Sequence, residues 1–192
     1  DVLLHVDHLP GRLPDADVVC LGLWGEPDQA TRHGVFFTPR DRPEELAFML
    51  QKPGLEEIRA ASRDHYFLLD VGIWLLSGRA MRLLLERTGG DGEASQTGEY
   101  DLYGQFGPAM GTRPHVSDRE INALDTAVVP LEGGAFYHFG SCPDLIDSVL
   151  RLQNRIIDQR RLTTTDIKPH PSLFVQNSLL GKALLSENHS EI

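Results

Sequence analysis

The chain has 192 residues, enough for one domain with a substantial core, and its 41% hydrophobic and 24% charged residues are an ordinary globular composition. Its net charge of -10, from 18 basic and 28 acidic residues, would repel a nucleic-acid backbone and disfavours DNA or RNA binding. The sequence contains no apolar run long enough to span a membrane and no secretory leader pattern. Two cysteines do not make a disulfide framework, so we expect a cytoplasmic protein without nucleic-acid or membrane partners.

The predicted elements alternate between short apolar runs and amphipathic stretches. In chain order we predict strands at 2–6, 17–24, 34–38 and 47–51, a helix at 54–62, a strand at 66–76, helices at 78–87 and 102–110, strands at 126–131 and 135–139, and a helix from 141 to about 160. This mixture predicts an α/β layered fold. The chain starts directly on an apolar run, which predicts a strand whose beginning is missing and therefore a fragment.

Local signals refine several of these elements. Asp70 and Gly72 interrupt the apolar run 66–76 and predict a kinked strand or two strand segments. Ser77 and Asp101 are predicted helix caps, and Ser141 begins a Ser-x-x-Asp helix start. The strands 126–131 and 135–139 flank Glu-Gly-Gly, which predicts that these two strands pair with each other.

Several residues could carry chemistry, each with an ordinary structural alternative. Gly34 opens a strand, where a ligand could approach the backbone closely, or it is a plain turn glycine. Lys52 ends a strand and could neutralise a phosphate, or it is a solvated lysine before a turn proline. Asp70 could accept hydrogen bonds from sugar hydroxyls or from nearby backbone N–H groups. His138 could bind a metal or a phosphate, or be a core histidine with a satisfied ring.

The order of these motifs resembles the sugar-nucleotide pyrophosphorylase family. The resemblance is closer to one branch, the fucose-1-phosphate guanylyltransferases, including the pyrophosphorylase part of bifunctional fucokinase/GDP-fucose pyrophosphorylases. The motifs that carry it are His33-Gly-Val-Phe36, Phe48-Met-Leu-Gln-Lys-Pro53, Asp70-Val-Gly-Ile-Trp-Leu-Leu76, Tyr100-Asp-Leu-Tyr103, Phe136-Tyr-His-Phe-Gly140, and Lys168-Pro-His-Pro171 with Phe174-Val-Gln-Asn177.

The resemblance implies a fold and a reaction. Residues 1–141 would be the sugar-phosphate side of a Rossmann-like, GT-A-like nucleotidyltransferase with a mixed sheet and flanking helices. Residues 142–192 would be a connecting helix and the start of a left-handed β-helix. The reaction implied is GTP plus L-fucose 1-phosphate giving GDP-L-fucose and pyrophosphate, with Mg²⁺ as cofactor. A fused sugar kinase domain is expected, and the fragment alone is expected to be inactive because the family's Gly-rich nucleotide loop is missing.

The resemblance also implies site residues. Lys52 would contact the sugar phosphate as a catalytic residue, and Gly34, Gln51, Asp70 and Gly72 would line the sugar pocket. Gln51 departs from the family, which usually has a glutamate before the lysine.

The resemblance implies a metal ligand at one further position and a contact to phosphate at another. Asp1 would match the aspartate of the family's Gly-Asp metal motif, as a catalytic residue and a Mg²⁺ ligand. His138 stands where many relatives have a second metal-binding aspartate. Because a neutral imidazole is a poor Mg²⁺ ligand, His138 is expected to touch substrate phosphate instead.

Two rival functions stay open on the sequence alone. The chain could be a non-catalytic sugar-phosphate-binding or regulatory module that has lost nucleotide chemistry. It could also be part of a pyrophosphorylase for another sugar 1-phosphate.

Overall fold

The computed structural model describes residues 2–8, 10–89 and 100–156. The strands in these ranges are β1 (Val2–His5), β2 (Val18–Leu23), β3 (Gly34–Pro39), β4 (Phe48–Gln51), β5 (His65–Leu76), β6 (Thr126–Pro130) and β7 (Ala135–His138). The helices are α1 (Pro27–Ala30), α2 (Leu55–Ala61), α3 (Gly78–Arg87), α4 (Gly107–Ala109) and α5 (Cys142–Ile156), with a π-helical turn at Leu102–Phe106. The chain divides into a larger unit, Val6–Gly134, and a smaller unit, Asp1–His5 with Ala135–Ile192.

The larger unit is built on a five-stranded mixed sheet in the order β4-β3-β5-β2-β6. Strand β2 runs parallel to β6 and antiparallel to β5, and β3 is antiparallel to both β4 and β5. Every residue of β2 is buried, as its continuous apolar run predicts for a central strand covered on both faces. The predicted α/β architecture with a mixed sheet is confirmed.

Both faces of this sheet carry hydrophobic core. Phe36 and Leu68 belong to one buried cluster, while their chain neighbours Phe37 and Leu69 belong to the other. Successive side chains of a strand point to opposite faces, so the strands need apolar residues at consecutive positions. Burying one such side chain contributes about 1.5–3 kcal/mol. A carboxylate inside this sheet is therefore exceptional, and Asp70 in β5 is one.

Strand β5 is bent where the sequence predicted a kink. Its register against β2 passes from Cys20↔Trp74 to Gly22↔Asp70, so β5 has more residues than its partner between these pairs. Such a bulge bends a strand locally. Gly72 lies inside it with a φ of 76°, a backbone conformation that glycine adopts without a steric penalty. The bulge brings the residues on either side of Gly72 closer together than a regular strand would.

The helix caps follow the predictions. The Ser77 side chain accepts a hydrogen bond from the Ala80 N–H, and the Asp101 side chain accepts one from the Tyr103 N–H. The predicted helix at 102–110 forms as the π-helical turn followed by α4, with Gly107 and Pro108 at the junction. π-helical turns occur often at functional sites.

The smaller unit contains a two-stranded antiparallel sheet of β1 and β7 together with α5. The prediction that strands 126–131 and 135–139 pair with each other is wrong, because β6 pairs with β2 and β7 pairs with β1. Parallel pairing with β2 buries Ala127 and Val128 in the larger unit, and this burial outweighs the local hairpin signal. The predicted boundary between 1–141 and 142–192 stays a prediction, and the predicted β-helix lies outside the described residues.

Candidate functional site

Three of the predicted site residues lie side by side across the sheet. Gly34 in β3 pairs with Gln51 in β4, and the register Val35↔Leu69 brings Gly34 next to Asp70 in β5. A Cβ atom on Gly34 would lie 3.1 Å from Asp70 Cβ and 3.1 Å from Gln51 Oε1. The structure therefore brings Gly34, Gln51 and Asp70 together in one row, although they are far apart in sequence.

A second glycine, which was not predicted from the sequence as a site residue, continues this row. Gly22 in β2 is the register partner of Asp70 on the side opposite Gly34. A Cβ atom at Gly22 would come 2.8 Å from Leu68 Cβ, so no other residue fits there without movement of β5. A single glycine inside an otherwise bulky strand marks a close backbone approach. That signal in the run VVCLGL could have identified Gly22.

Asp70 is held in one orientation. It is only 5% exposed, and its Oδ1 accepts hydrogen bonds from the Gly72 N–H at 2.8 Å and from Trp74 Nε1 at 3.0 Å. Burial raises the pKa of Asp70, and these two hydrogen bonds oppose that rise. Both donors reach the same oxygen, and no hydrogen bond within the described part of the chain reaches Oδ2. Asp70 thus presents a second, oriented acceptor.

Lys52 lies at the end of β4 in a strained backbone conformation. Its φ is 47°, the left-handed region that lysine rarely adopts, and Pro53 follows it directly. The Lys52 N–H donates to the His33 carbonyl oxygen at 2.9 Å and holds this turn in place. The side chain is exposed, and within the described ranges its ammonium forms no ion pair. This arrangement leaves a cation next to Gln51 and available to a phosphate.

An aromatic cluster borders Asp70 and Gly72. Trp74 stacks on Phe106 with ring centroids 6.3 Å apart and meets Tyr103 edge-on at 5.6 Å. The Tyr103 hydroxyl lies 3.8 Å from the point where a Cβ of Gly72 would be. Burial raises the pKa of Tyr103, and the negative charge of Asp70 adds to that rise. Trp74 and Tyr103 lie within the sequence motifs that carry the family resemblance, but neither was predicted as a site residue.

His138 belongs to the smaller unit. Its Nδ1 lies 3.1 Å from Asp144 Oδ2, and the Ser141 hydroxyl donates to the same carboxylate oxygen at 2.6 Å. The Ser148 hydroxyl donates to the His138 carbonyl oxygen at 2.5 Å. The imidazole is therefore engaged by a carboxylate near the start of α5, as the interpretation of a satisfied histidine expects. Its predicted contact with substrate phosphate stays a prediction.

The predicted metal ligand, Asp1, lies outside the described residues. Within them, no group of three or more His, Cys, Asp or Glu side chains is arranged to hold a metal ion. Magnesium binding therefore stays a prediction. In the same residues, no helix is both long enough and apolar enough to cross a bilayer.

Two surface cavities lie away from these residues. One of about 450 Å³ is lined in part by the acidic side chains of Glu44, Glu45 and Asp125, and one of about 580 Å³ by Arg79 and Arg119 among others. Neither is lined by a residue of the row around Asp70. We locate the candidate site at the row, because a buried and oriented carboxylate is stronger evidence of ligand recognition than the size of a surface depression.

Comparison with known proteins agrees with the motifs. No protein-family model matches the chain. A protein from Bacteroides fragilis described as L-fucokinase/L-fucose-1-P guanylyltransferase is 47% identical over 188 residues, which cover 98% of this chain and 20% of that protein. This chain thus spans about one fifth of the length of its relative. The predicted resemblance is confirmed: over nearly its whole length, the chain is a homologue of part of a bifunctional L-fucokinase/L-fucose-1-P guanylyltransferase.

Proposed function

We propose that this chain forms the sugar-1-phosphate side of a nucleotidyltransferase active site that makes GDP-L-fucose and pyrophosphate from GTP and L-fucose 1-phosphate. The observation that carries the proposal is the row of Gln51, Gly34 and Asp70, with Lys52 directly after Gln51 in the chain, in a protein 47% identical to part of a fucokinase/guanylyltransferase. The row offers hydrogen-bond acceptors for hydroxyl groups, and Lys52 offers a cation for phosphate.

In the proposed reaction these residues bind and position the substrate and form no covalent bond with it. A phosphate oxygen of fucose 1-phosphate attacks the α-phosphorus of GTP, a new P–O bond forms, and the bond to the β-phosphate oxygen breaks as pyrophosphate leaves. Lys52 would hold the attacking phosphate by a charge-assisted hydrogen bond. Asp70 and Gln51 would orient the sugar, which contributes by reducing the freedom of the reactants.

The contribution of Asp70 depends on its fixed carboxylate. Trp74 and the Gly72 N–H occupy Oδ1, so Oδ2 can accept from a sugar hydroxyl without reorienting the side chain. A preorganised acceptor loses little entropy when the ligand binds. The close approach of the Gly34 and Gly22 backbones maintains the position of β5 at this point.

Magnesium is part of the proposal, with Asp1 as the ligand that the family resemblance implies. Because Asp1 lies outside the described residues, and these contain no cluster of three or more His, Cys, Asp or Glu side chains arranged to hold a metal ion, we assign no step to the metal ion. The relative is named for two activities, and we propose that the natural full-length protein likewise contains a sugar kinase domain and functions in the cytoplasm in fucose salvage.

The proposal is tested with the natural full-length protein. Incubated with GTP, Mg²⁺ and L-fucose 1-phosphate, it should form GDP-L-fucose and pyrophosphate in equal amounts, measured by liquid chromatography and a pyrophosphate assay. Glucose 1-phosphate in place of fucose 1-phosphate is the control and should react much more slowly. Absence of GDP-fucose, or a preference for glucose 1-phosphate, would overturn the proposal. The 192-residue chain alone should be inactive.

A further inference from the structure

The Tyr103 hydroxyl lies near Gly72 and Asp70, and none of the described residues forms a hydrogen bond with it. The side chain is 36% exposed, and within the described part of the chain its hydroxyl forms no hydrogen bond. It faces Gly72, where a side chain would lie 3.8 Å away, and it is close enough to Asp70 to be affected by the charge of that carboxylate. A hydroxyl in such a position can donate to a ligand bound at Asp70.

Two contacts hold Tyr103 in this position. The Asp101 carboxylate accepts a hydrogen bond from the Tyr103 N–H at 2.9 Å at the start of the π-helical turn. The Tyr103 ring meets Trp74 edge-on, and Trp74 in turn donates to Asp70. The phenol and the carboxylate are thereby connected to the same indole ring. A tyrosine held by backbone and ring contacts offers its hydroxyl at little entropic cost.

The donor is present throughout the neutral pH range. The ordinary pKa of tyrosine is about 10, and burial and the charge of Asp70 raise the pKa of Tyr103 further. The phenol therefore keeps its proton under all conditions in which the enzyme would work. Asp70 Oδ2 is an acceptor and Tyr103 Oη a donor, so the pair complements two oxygen atoms of one sugar.

We propose that Tyr103 is a specificity-determining residue, which donates a hydrogen bond to one hydroxyl or ring oxygen of the sugar while Asp70 accepts one from another hydroxyl. This inference rests on the proposed function and names a contact within the same site. A site built to hydrogen-bond a sugar oxygen discriminates against the analogue that lacks it, because the polar group of the protein then loses its partner.

The test uses Tyr103→Phe in the natural full-length protein with L-fucose 1-phosphate and its 2-, 3- and 4-deoxy analogues. The wild type should discriminate against each deoxy sugar at a contacted position. The variant should lose about tenfold in kcat/KM for fucose 1-phosphate, as expected for one hydrogen bond, with the KM for GTP unchanged. If Tyr103 donates to a hydroxyl, the variant should also lose its discrimination against the deoxy sugar that lacks this hydroxyl, and against no other. If Tyr103 donates to the ring oxygen, the variant should lose only its discrimination against the carbocyclic analogue of fucose 1-phosphate, which is tested as well.

A purely structural role for Tyr103 would lower the rates for all sugars by the same factor, and that result would overturn the inference. Tyr66→Phe is the control, because Tyr66 is 38% exposed on the same strand as Asp70 but contacts Arg40 and Trp24 instead. Its sugar discrimination should equal that of the wild type. If the wild type makes no GDP-fucose, the proposed function fails and this inference with it; unchanged discrimination in an active Tyr103→Phe enzyme overturns this inference alone.

Discussion

Trp74 Nε1 donates a hydrogen bond to Asp70 Oδ1 across 3.0 Å, between two residues of the same strand that are four positions apart. In a regular strand the Cα atoms of these residues would be about 13 Å apart, too far for their side chains to form a hydrogen bond. The bulge around Gly72, with its φ of 76°, brings them together. A strand distortion that positions a buried carboxylate is typical of a binding site.

Removing this hydrogen bond tests the role of Trp74. Trp74→Phe keeps an aromatic ring beside Phe106 but loses the indole N–H. We expect the KM for fucose 1-phosphate to rise about tenfold, because a hydrogen bond to a charged group contributes about 1.5–3 kcal/mol and part of the orientation persists through Gly72. Steady-state kinetics measures this change. Trp24→Phe is the control, since Trp24 is 54% exposed, and an equal effect there would contradict the prediction.

The pKa of Asp70 predicts a pH-dependent stability difference. Burial raises this pKa above its ordinary value of 3.8, so the folded protein binds the proton more tightly than the unfolded chain. The protonated Asp70 carboxyl therefore contributes to the free energy of unfolding. This contribution is complete below the pKa that Asp70 has in the unfolded chain, and it is lost as pH rises through the pKa that Asp70 has in the folded protein. Asp70→Asn keeps an oxygen acceptor without the charge and should not show this loss.

Thermal unfolding across that pH window measures the effect. The stability of Asp70→Asn relative to wild type should increase as pH rises from 3.8 through the raised pKa and then become constant. At neutral pH the variant should be at least as stable as wild type and bind fucose 1-phosphate more weakly. A stability difference independent of pH would show that Asp70 has no raised pKa in the folded protein.

Lys52 has a strained backbone conformation and a proposed contact to phosphate. Two variants distinguish the effect of the strain on stability from the effect of the contact on activity. Lys52→Ala and Lys52→Gly should both lower kcat/KM for fucose 1-phosphate at least about tenfold, through loss of a charge-assisted contact. Lys52→Gly should be more stable than Lys52→Ala by about 1 kcal/mol, because glycine adopts a φ of 47° without strain. Thermal unfolding and kinetics check both points. Unchanged kinetics would show that Lys52 is a solvated surface residue without a contact to the substrate phosphate.

Thr38 is a site where stability can be gained. Its Oγ1 is fully buried and has no hydrogen-bond partner within the described residues. Thr38→Val replaces the hydroxyl with a methyl group of similar shape, so we expect stabilisation of about 1 kcal/mol. Hydrogen exchange of the β3 and β5 amides should slow accordingly. Thr126→Val is the control, because the Thr126 hydroxyl donates to Leu124, and a gain there would contradict the explanation.

The proposed metal ligand can be tested by titration. Asp1→Asn in the natural full-length protein should shift the Mg²⁺ dependence of GDP-fucose synthesis to higher concentration, because an amide is a weaker ligand for Mg²⁺ than a carboxylate. The rate at saturating Mg²⁺ should recover in part. An unaltered titration curve would argue against Asp1 as a ligand.

Much of the fold could be predicted because it depends on local patterns. The kink in β5 followed from Asp70 and Gly72 within an apolar run, and Ser77 and Asp101 were recognisable caps. The pairing of β6 was not predictable in this way. Its partner β2 is more than a hundred residues earlier in the chain, and the Glu-Gly-Gly turn favoured a local hairpin that the protein does not form.

The sequence by itself determined which residues are candidates and which family they resemble, because motifs such as Gln51-Lys52-Pro53 are local. Only the tertiary structure decided that Gln51, Gly34, Asp70 and Gly22 form one row, since strand register depends on packing between distant segments. It also decided that the Tyr103 hydroxyl lies near Gly72, because the π-helical turn at Leu102–Phe106 packs the Tyr103 ring against Trp74.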